Sequence, residues 1–559
     1  MRQKFKKRPS FKKSGRYLPV ALVFPNSRQV GLSNLGFQFL WNKLQESSAF
    51  SPERFFVTEE FLKQPAGSII PVSEENQIPL RNFPIIAFSI PFENDYPMAP
   101  KLLISAGIPP LRRDRGLSDP LVLAGGVSVT MNPEALADFL DLVFIGEIVD
   151  DVDEPDGLWS IIRDFKESKT AGKDRKEFFK NFRAMQGVYV PDAYKFEYKD
   201  DGVISLISPL PGFPERIKSV KRLSTYEVPP MAMIEDQQTE FRNAFLIEVN
   251  RGCGRGCRFC SGGWIHLPVR HFEYAKFRDS LEEAIKTRKT IGLVGSDLAS
   301  HPELPAILND IVNRGGKFSL SSIRPEGLTD QIIKLIVESG QKTATLAPEV
   351  VSKGLKRVIG KEIPSERFLE LVEKLVTEGL PNIRFYFMIG LPTETDEDVK
   401  EIVEFVLKAR EVFVNASRKK GKIGRIGVQV NAFVPKPWTP FQWSDAKPRK
   451  EWEHRIRIIY DGLRGVKNVV VRHESTRGSE VQAILSRADR RIANSLIRIA
   501  TGGKLGPSSF SGDNPGAIFY AQRLREPDEI FPWDVVDHGV SKKVLRSIFD
   551  KAIDLGKGS

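Results

Sequence analysis

The chain contains three cysteines, and all of them fall within eight positions: Cys253, Cys257 and Cys260, in the stretch NRGCGRGCRFCSGG. A disulfide scaffold would spread an even number of cysteines along the chain. Here C-x3-C-x2-C follows the apolar run Ala244–Val249 directly, so a strand is predicted to end in a loop whose thiols gather round one metal centre. Thiolates suit iron–sulfur clusters or zinc. The odd count is informative, because a four-iron cube held by three thiolates keeps one iron open to a small molecule. Zinc would need a fourth ligand, and His266 and His271 are the nearest imidazoles. Gly252, Gly254 and Gly256 favour a loop free to wrap a bulky cluster.

With 559 residues the chain exceeds one ordinary domain. Hydrophobic residues make up 41% and charged residues 28%, a globular balance. No apolar run approaches the roughly 20 residues of a membrane span, and no apolar stretch follows the basic start as it would in a secretory signal. Neither feature is expected. Net charge is +12, but residues 1–17 carry eight basic residues and no acid, which leaves +4 for the other 542. The tail reads as a solvated arm, or as one that touches nucleic acid or anionic lipid.

After Cys260, strand-like and helix-like segments alternate, the pattern of parallel βα units. Strands are predicted at Thr290–Val294, Phe318–Ile323, Thr343–Ala347, Ile383–Ile389 and Ile426–Phe433, six with Ala244–Val249. Helices are predicted at Leu328–Ser339, Ser365–Glu378 and Asp396–Ala409. The cysteine spacing, the aromatic Phe259 before the last cysteine and these six units together resemble the radical S-adenosylmethionine (SAM) superfamily, whose fold is a partial (β/α)6 barrel.

The resemblance implies a [4Fe-4S] cluster on Cys253, Cys257 and Cys260, whose open iron takes the amino and carboxylate groups of SAM. An electron from the cluster then cleaves SAM to methionine and a 5′-deoxyadenosyl radical. It further implies cofactor contacts at the strand ends: Gly295, Ser296 and Asp297 for the SAM amino group, Ser322, Arg324 and Glu349 near ribose or methionine, Gly390 in the GLPTET turn and Pro435 flanking adenine.

Residues 18–150 also read as α/β, with strands at Val20–Phe24, Ile85–Ile90, Leu121–Ala124 and Leu142–Ile145 and a weaker one at Arg54–Thr58. Small-residue turns after strands suit a doubly wound, Rossmann-like domain with a ligand across its strand ends. The domain order, the Pro25–Gly36 segment, Leu267–Arg270 and the SRADRR stretch 486–491 resemble the cobalamin-binding radical SAM enzymes. That implies cobalamin near Asn26, Ser89, Glu93, Gly125, Gly126 and Gly146. All six histidines follow residue 265, so no imidazole of the N-terminal domain is available to cobalt.

Residues 151–240 read as a connector with a charged helical region (158–185) and a hairpin (188–208), 241–443 as the barrel, and 444–559 as a mixed, mainly helical region. Arg487, Arg490 and Arg491 are read as one helix that clamps an anion or pairs with acids. With no cysteine left for a second cluster or a protein-bound methyl group, the expected activity is a cobalamin-dependent C-methyltransferase. The alternatives are a radical SAM enzyme whose N-terminal domain binds substrate, and a non-catalytic zinc and RNA-binding protein. An external electron donor and a reducing, cytoplasmic setting are expected for an oxygen-sensitive cluster.

Overall fold

A computed structural model describes residues 17–557 apart from 149–151, 155–156, 171–173, 222–227, 235–237, 242–243, 289, 321–322, 419–420, 422 and 513. The basic tail up to residue 16 lies outside the described residues, as does Ser322.

The first unit is a six-stranded sheet of β1 (Leu18–Val23), β2 (Phe50–Phe55), β3 (Ile85–Ser89), β4 (Leu121–Gly125), β5 (Leu142–Phe144) and β6 (Val188–Tyr189) in the order β2-β1-β3-β4-β5-β6. All pairs are parallel except β5–β6. Strands such as LPVALV are apolar almost throughout because both faces of the sheet are covered. The order 2-1-3-4-5 is the doubly wound arrangement that opens a crevice at the strand ends between β1 and β3. β2 begins four residues earlier than predicted, since Phe50 and Phe55 are the buried positions that fix its register. Val188–Tyr189, expected in a hairpin, closes this sheet instead; the hairpin is Tyr194–Tyr198 with Ile204–Pro209.

The second unit is a partial barrel in two sheets. One holds β7 (Phe245–Arg251), the short antiparallel β8 (Arg270–His271), β9 (Thr290–Gly295) and β10 (Lys317–Leu320). The other holds β11 (Thr343–Glu349), β12 (Asn382–Ile389), β13 (Arg425–Ala432) and β14 (Val469–His473), all parallel. The six predicted strands are present and β14 is a seventh parallel strand. Its three valines are an edge run too short and too exposed to stand out in the sequence. In β12, Ile383, Phe385, Phe387 and Ile389 are buried, and Asn382, Arg384, Tyr386 and Met388 alternate with them on the lumen side. The apolar face packs on the helices Ser365–Glu378 and Asp396–Arg418; Phe385 and Phe387 lie 5.3 and 6.1 Å from the Phe405 ring.

The predicted helix 480–500 is two helices, Thr476–Arg487 and Ala493–Ala500, with a break between them. Its arginines are therefore not one clamp. Arg490 forms a two-pronged ion pair with the fully buried Glu134 (2.8 Å each), Arg491 pairs with Asp489, and Arg487 donates to the Ser444 and Ala521 carbonyls. The N-terminal unit is thus bolted to the C-terminal region by a buried charge pair.

Near the same junction Asn26 donates to Asp95 (2.8 Å), while Glu93 is buried between Lys436 (2.6 Å) and Gln482 (3.1 Å). Burial pushes the Asp95 carboxyl from 3.8 up to about 7; the Asn26 amide opposes this, and Glu93 adds to it. Between those values the unfolded chain releases a proton that the folded chain keeps, so stability falls as pH rises from about 4 to 7, by about 4 kcal/mol in total. Asp95→Asn is expected to remove that fall, read as a flatter urea midpoint against pH; an unchanged slope would contradict the assignment.

Candidate active site

β7 ends at Arg251 and the chain turns at once into the cysteine loop. The turn requires glycine at 252, where φ is +82° and a Cβ would lie 2.5 Å from the His266 carbonyl oxygen. Backbone contacts hold the loop. The Arg258 amide donates to the Ile359 carbonyl (3.0 Å), the Arg258 guanidinium to Val358 O (2.9 Å), and Trp264 Nε1 to Cys257 O (3.1 Å). None of these uses a thiol, so all three stay available. Cys253 and Cys257 are half-buried and Cys260 is exposed. Arg324 Nη1 approaches Cys257 Sγ at 3.8 Å, a cationic donor suited to a thiolate. Burial raises the Cys253 thiol, opposed by the Arg255 amide and Arg324.

Among the described residues no three His, Cys, Asp or Glu side chains converge on a single-ion site. The three thiols are the ligands that the sequence predicts for a multi-iron cube. Phe259 packs partly buried against the core beside them.

β9 ends against the same loop. Gly295 leaves room for the buried Asn250, whose Oδ1 would lie 1.9 Å from a Cβ there. Asn250 Nδ2 donates to the Asp297 carbonyl (2.8 Å). The buried Asp297 accepts from Arg255 of the cysteine loop at Oδ2 (2.9 Å), and its Oδ1 is buried without a partner. An orphaned carboxylate oxygen beside the thiols is an acceptor shaped for an ammonium group. Ser296, exposed, lies between Gly295 and Asp297. Asn250 was not singled out in the sequence, although its place two residues before the glycine turn was the available signal.

Other predicted residues have local partners. Glu349, at φ +67°, pairs with Lys361 (2.9 Å). The Gly390 amide donates to Glu394 (2.5 Å), whose carboxyl burial pushes up to about 8 against the opposing Arg455 (2.8 Å). The GLPTET turn is therefore a buried corner. Pro435 is buried in a segment that crosses to the N-terminal unit, where Trp438 Nε1 donates to Met131 O (3.2 Å).

A cavity of about 350 Å³ lies between the two units. Ser89, Gly125, Gly126 and Gly146 line it at the ends of β3, β4 and β5, with Trp159 beside them and Arg251 and His266 on the barrel side. Asn26 and Glu93 are not among its lining residues; they serve the junction described above. Glu147 spans the gap. Burial alone would raise its carboxyl, but His266, Arg270 (2.8 Å, two-pronged) and Arg251 hold it well below the usual carboxylate range. The Leu267–Arg270 motif thus acts through Arg270, as a strut between the units.

A partial barrel with a three-thiol loop at the end of its first strand, behind a doubly wound domain, defines a radical SAM protein. Residues 36–191 match the family profile "Radical SAM proteins, N-terminal" and residues 247–406 match "Radical SAM superfamily"; the chain belongs to that superfamily and is a radical SAM enzyme. It is 26% identical over 481 residues to the uncharacterized protein MJ0966 of Methanocaldococcus jannaschii, covering 85% of this chain and 90% of that one. It is also 26% identical over 181 residues to the ribosomal protein uS12 methylthiotransferase RimO of Thermotoga maritima, covering 30% of this chain and 42%, less than half, of the relative. Among solved structures, the radical SAM methyltransferase TsrM from Kitasatospora setae, with cobalamin and a [4Fe-4S] cluster bound, shares the fold: TM-score 0.51, 14% identity, 87% of this chain and 99% of that one covered. No helix among the described residues is long and apolar enough to cross a membrane.

Proposed function

We propose that this enzyme is a cobalamin-dependent methyltransferase acting on carbon, with SAM at the cysteine loop and cobalamin in the cavity between the units. The observation that carries the reading is the cavity itself. Small residues at the ends of three adjacent strands leave room in a mostly apolar cavity, which suits a macrocycle, and the barrel wall opposite it includes Glu248 and Arg251 of β7, the strand that leads into the cysteines. TsrM, whose structure holds cobalamin and a [4Fe-4S] cluster, supports it as a neighbour in fold.

Cys253, Cys257 and Cys260 would hold the cluster, which when bound supplies one electron to the sulfonium of SAM. Asp297 accepts the SAM ammonium through its free Oδ1, and Arg255 stays on Oδ2. Asn250 fixes the Asp297 backbone. Cobalamin, when bound, supplies a carrier for the methyl group. The Glu147–Arg270 strut keeps the two units at a constant separation during transfer.

Gly125 tests the reading without breaking the fold, because a Cβ there meets nothing closer than 3.9 Å. Gly125→Leu is expected to preserve the unfolding midpoint and weaken cobalamin binding at least tenfold, about 1.4 kcal/mol, in a titration followed by visible absorbance. Wild-type protein that leaves the cobalamin spectrum unchanged, yet still converts SAM to 5′-deoxyadenosine, would assign the cavity to substrate instead.

A further inference from the structure

The barrel lumen carries a feature that SAM cleavage does not use. TIM-type barrels fill their interior with layers of branched aliphatic side chains. Here the lumen face of β12, β13 and β14 borders an open cavity of about 560 Å³ lined by Arg384, Tyr386, Arg425, Gln429 and Arg472. The strand register sets their heights. Arg472 is level with Gln429 and Tyr386, Arg384 lies two residues lower opposite Gly427, and Arg425 two lower again opposite Asn382. At about 3.3 Å per residue the three guanidinium-bearing positions climb the wall in steps of about 6.6 Å, from about 23 Å below the end of β12 to about 10 Å below it.

All three arginines are exposed, and none has an ion-pair partner among the described residues. Elsewhere several enclosed arginines are paired with acids: Arg455 with Glu394, Arg490 with Glu134, Arg270 with Glu147. A merely solvated face intersperses acids with bases. Three like charges in one concave wall repel one another and focus a positive potential into the lumen. Guanidinium groups match phosphate geometry in two-pronged fashion, and the Tyr386 ring beside the upper step offers a stacking surface.

We infer that the lumen is the substrate channel and that it takes an extended molecule carrying a linear run of phosphates, with its reacting carbon at the cysteine end. The inference rests on the proposed radical SAM reading for the site of reaction, and on the arginine ladder for the substrate class. A short single-stranded oligonucleotide and a polyphosphate chain share this chemistry. The ladder spans about 13 Å of the wall, and a ligand that reaches from its lowest step to the end of β12 spans about 23 Å, several phosphates long.

The test uses the full-length, cluster-loaded protein, fluorescein-labelled hexauridylate followed by anisotropy, and inorganic tripolyphosphate as competitor. Three phosphate contacts predict a fall in affinity of about twentyfold between 50 and 200 mM salt. Arg384→Gln/Arg425→Gln/Arg472→Gln, with the basic tail intact as in the wild type, is expected to lower the slope of log affinity against log salt by about 2 and leave substrate-free SAM cleavage unchanged. Should the triple variant not fold, each single variant is expected to lower the slope of log affinity against log salt by about 0.7. Tighter oligonucleotide binding that Tyr386→Ala weakens marks nucleic acid as the source; tripolyphosphate binding equally well marks polyphosphate. Hexauridylate and tripolyphosphate binding that the triple variant leaves within twofold of wild type would overturn the inference. Loss of SAM cleavage with binding intact would instead strike the proposed function alone.

Discussion

Cys257→Ala will give a folded protein that lacks the brown absorbance of an iron–sulfur cluster and forms 5′-deoxyadenosine only at background level; the same holds for Cys253→Ala and Cys260→Ala. The expectation follows from how the loop is built. Its shape is held by the Arg258 and Trp264 contacts and by the Gly252 turn, none of which involves sulfur, so removing a thiol leaves the backbone in place. What is lost is a ligand, and no spare cysteine exists to replace it. Iron analysis, circular dichroism and product chromatography on one preparation check the three parts together. A cysteine variant that retains full iron and turnover would mean that the centre is held elsewhere.

The second large effect concerns stability. Glu134→Gln will destabilise the protein by about 3–5 kcal/mol, because it leaves the Arg490 guanidinium enclosed without its counter-charge. Arg490→Met alone is expected to destabilise in the same direction, since the buried Glu134 loses its guanidinium partner and keeps the Tyr189 hydroxyl. The double variant Glu134→Gln/Arg490→Met should recover most of the loss, since neither buried charge remains. Denaturant midpoints of the four proteins give the coupling directly. Additive single effects would show that the pair does not bridge the two regions.

The parts of the molecule legible from sequence were those where local chemistry and periodicity agree. Ser365–Glu378 is a helix at the predicted bounds, because its apolar spacing and the start at Ser365-Glu366 both mark it. The strands β7, β9, β12 and β13 are continuous or alternating apolar runs that burial requires. β14 escaped notice because an edge strand needs little apolar surface. The SRADRR stretch read as one helix because nothing local shows that Asp489 turns back to bond the Arg491 amide and side chain.

The same division runs through the site. The three cysteines were visible because thiolate chemistry and spacing sit in one loop. Asp297 was visible by its place after a strand, but its unpartnered oxygen was not, since that depends on Asn250 and Arg255 arriving from β7 and the loop. Asn26 and Glu93 looked like ligand residues from their position after strands, and tertiary partners drew them into the junction instead. The lumen arginines are spread from residue 384 to residue 472 and become a ladder only through strand register.

The central claim is that three thiolates leave one iron of a four-iron centre open to SAM. It is tested most directly by electron paramagnetic resonance of the reduced, anaerobically prepared protein with and without SAM, alongside metal analysis. The account predicts about four irons per chain and a cluster signal that changes on SAM addition. A preparation with about one zinc and no iron, or an iron signal that SAM leaves untouched, would contradict it.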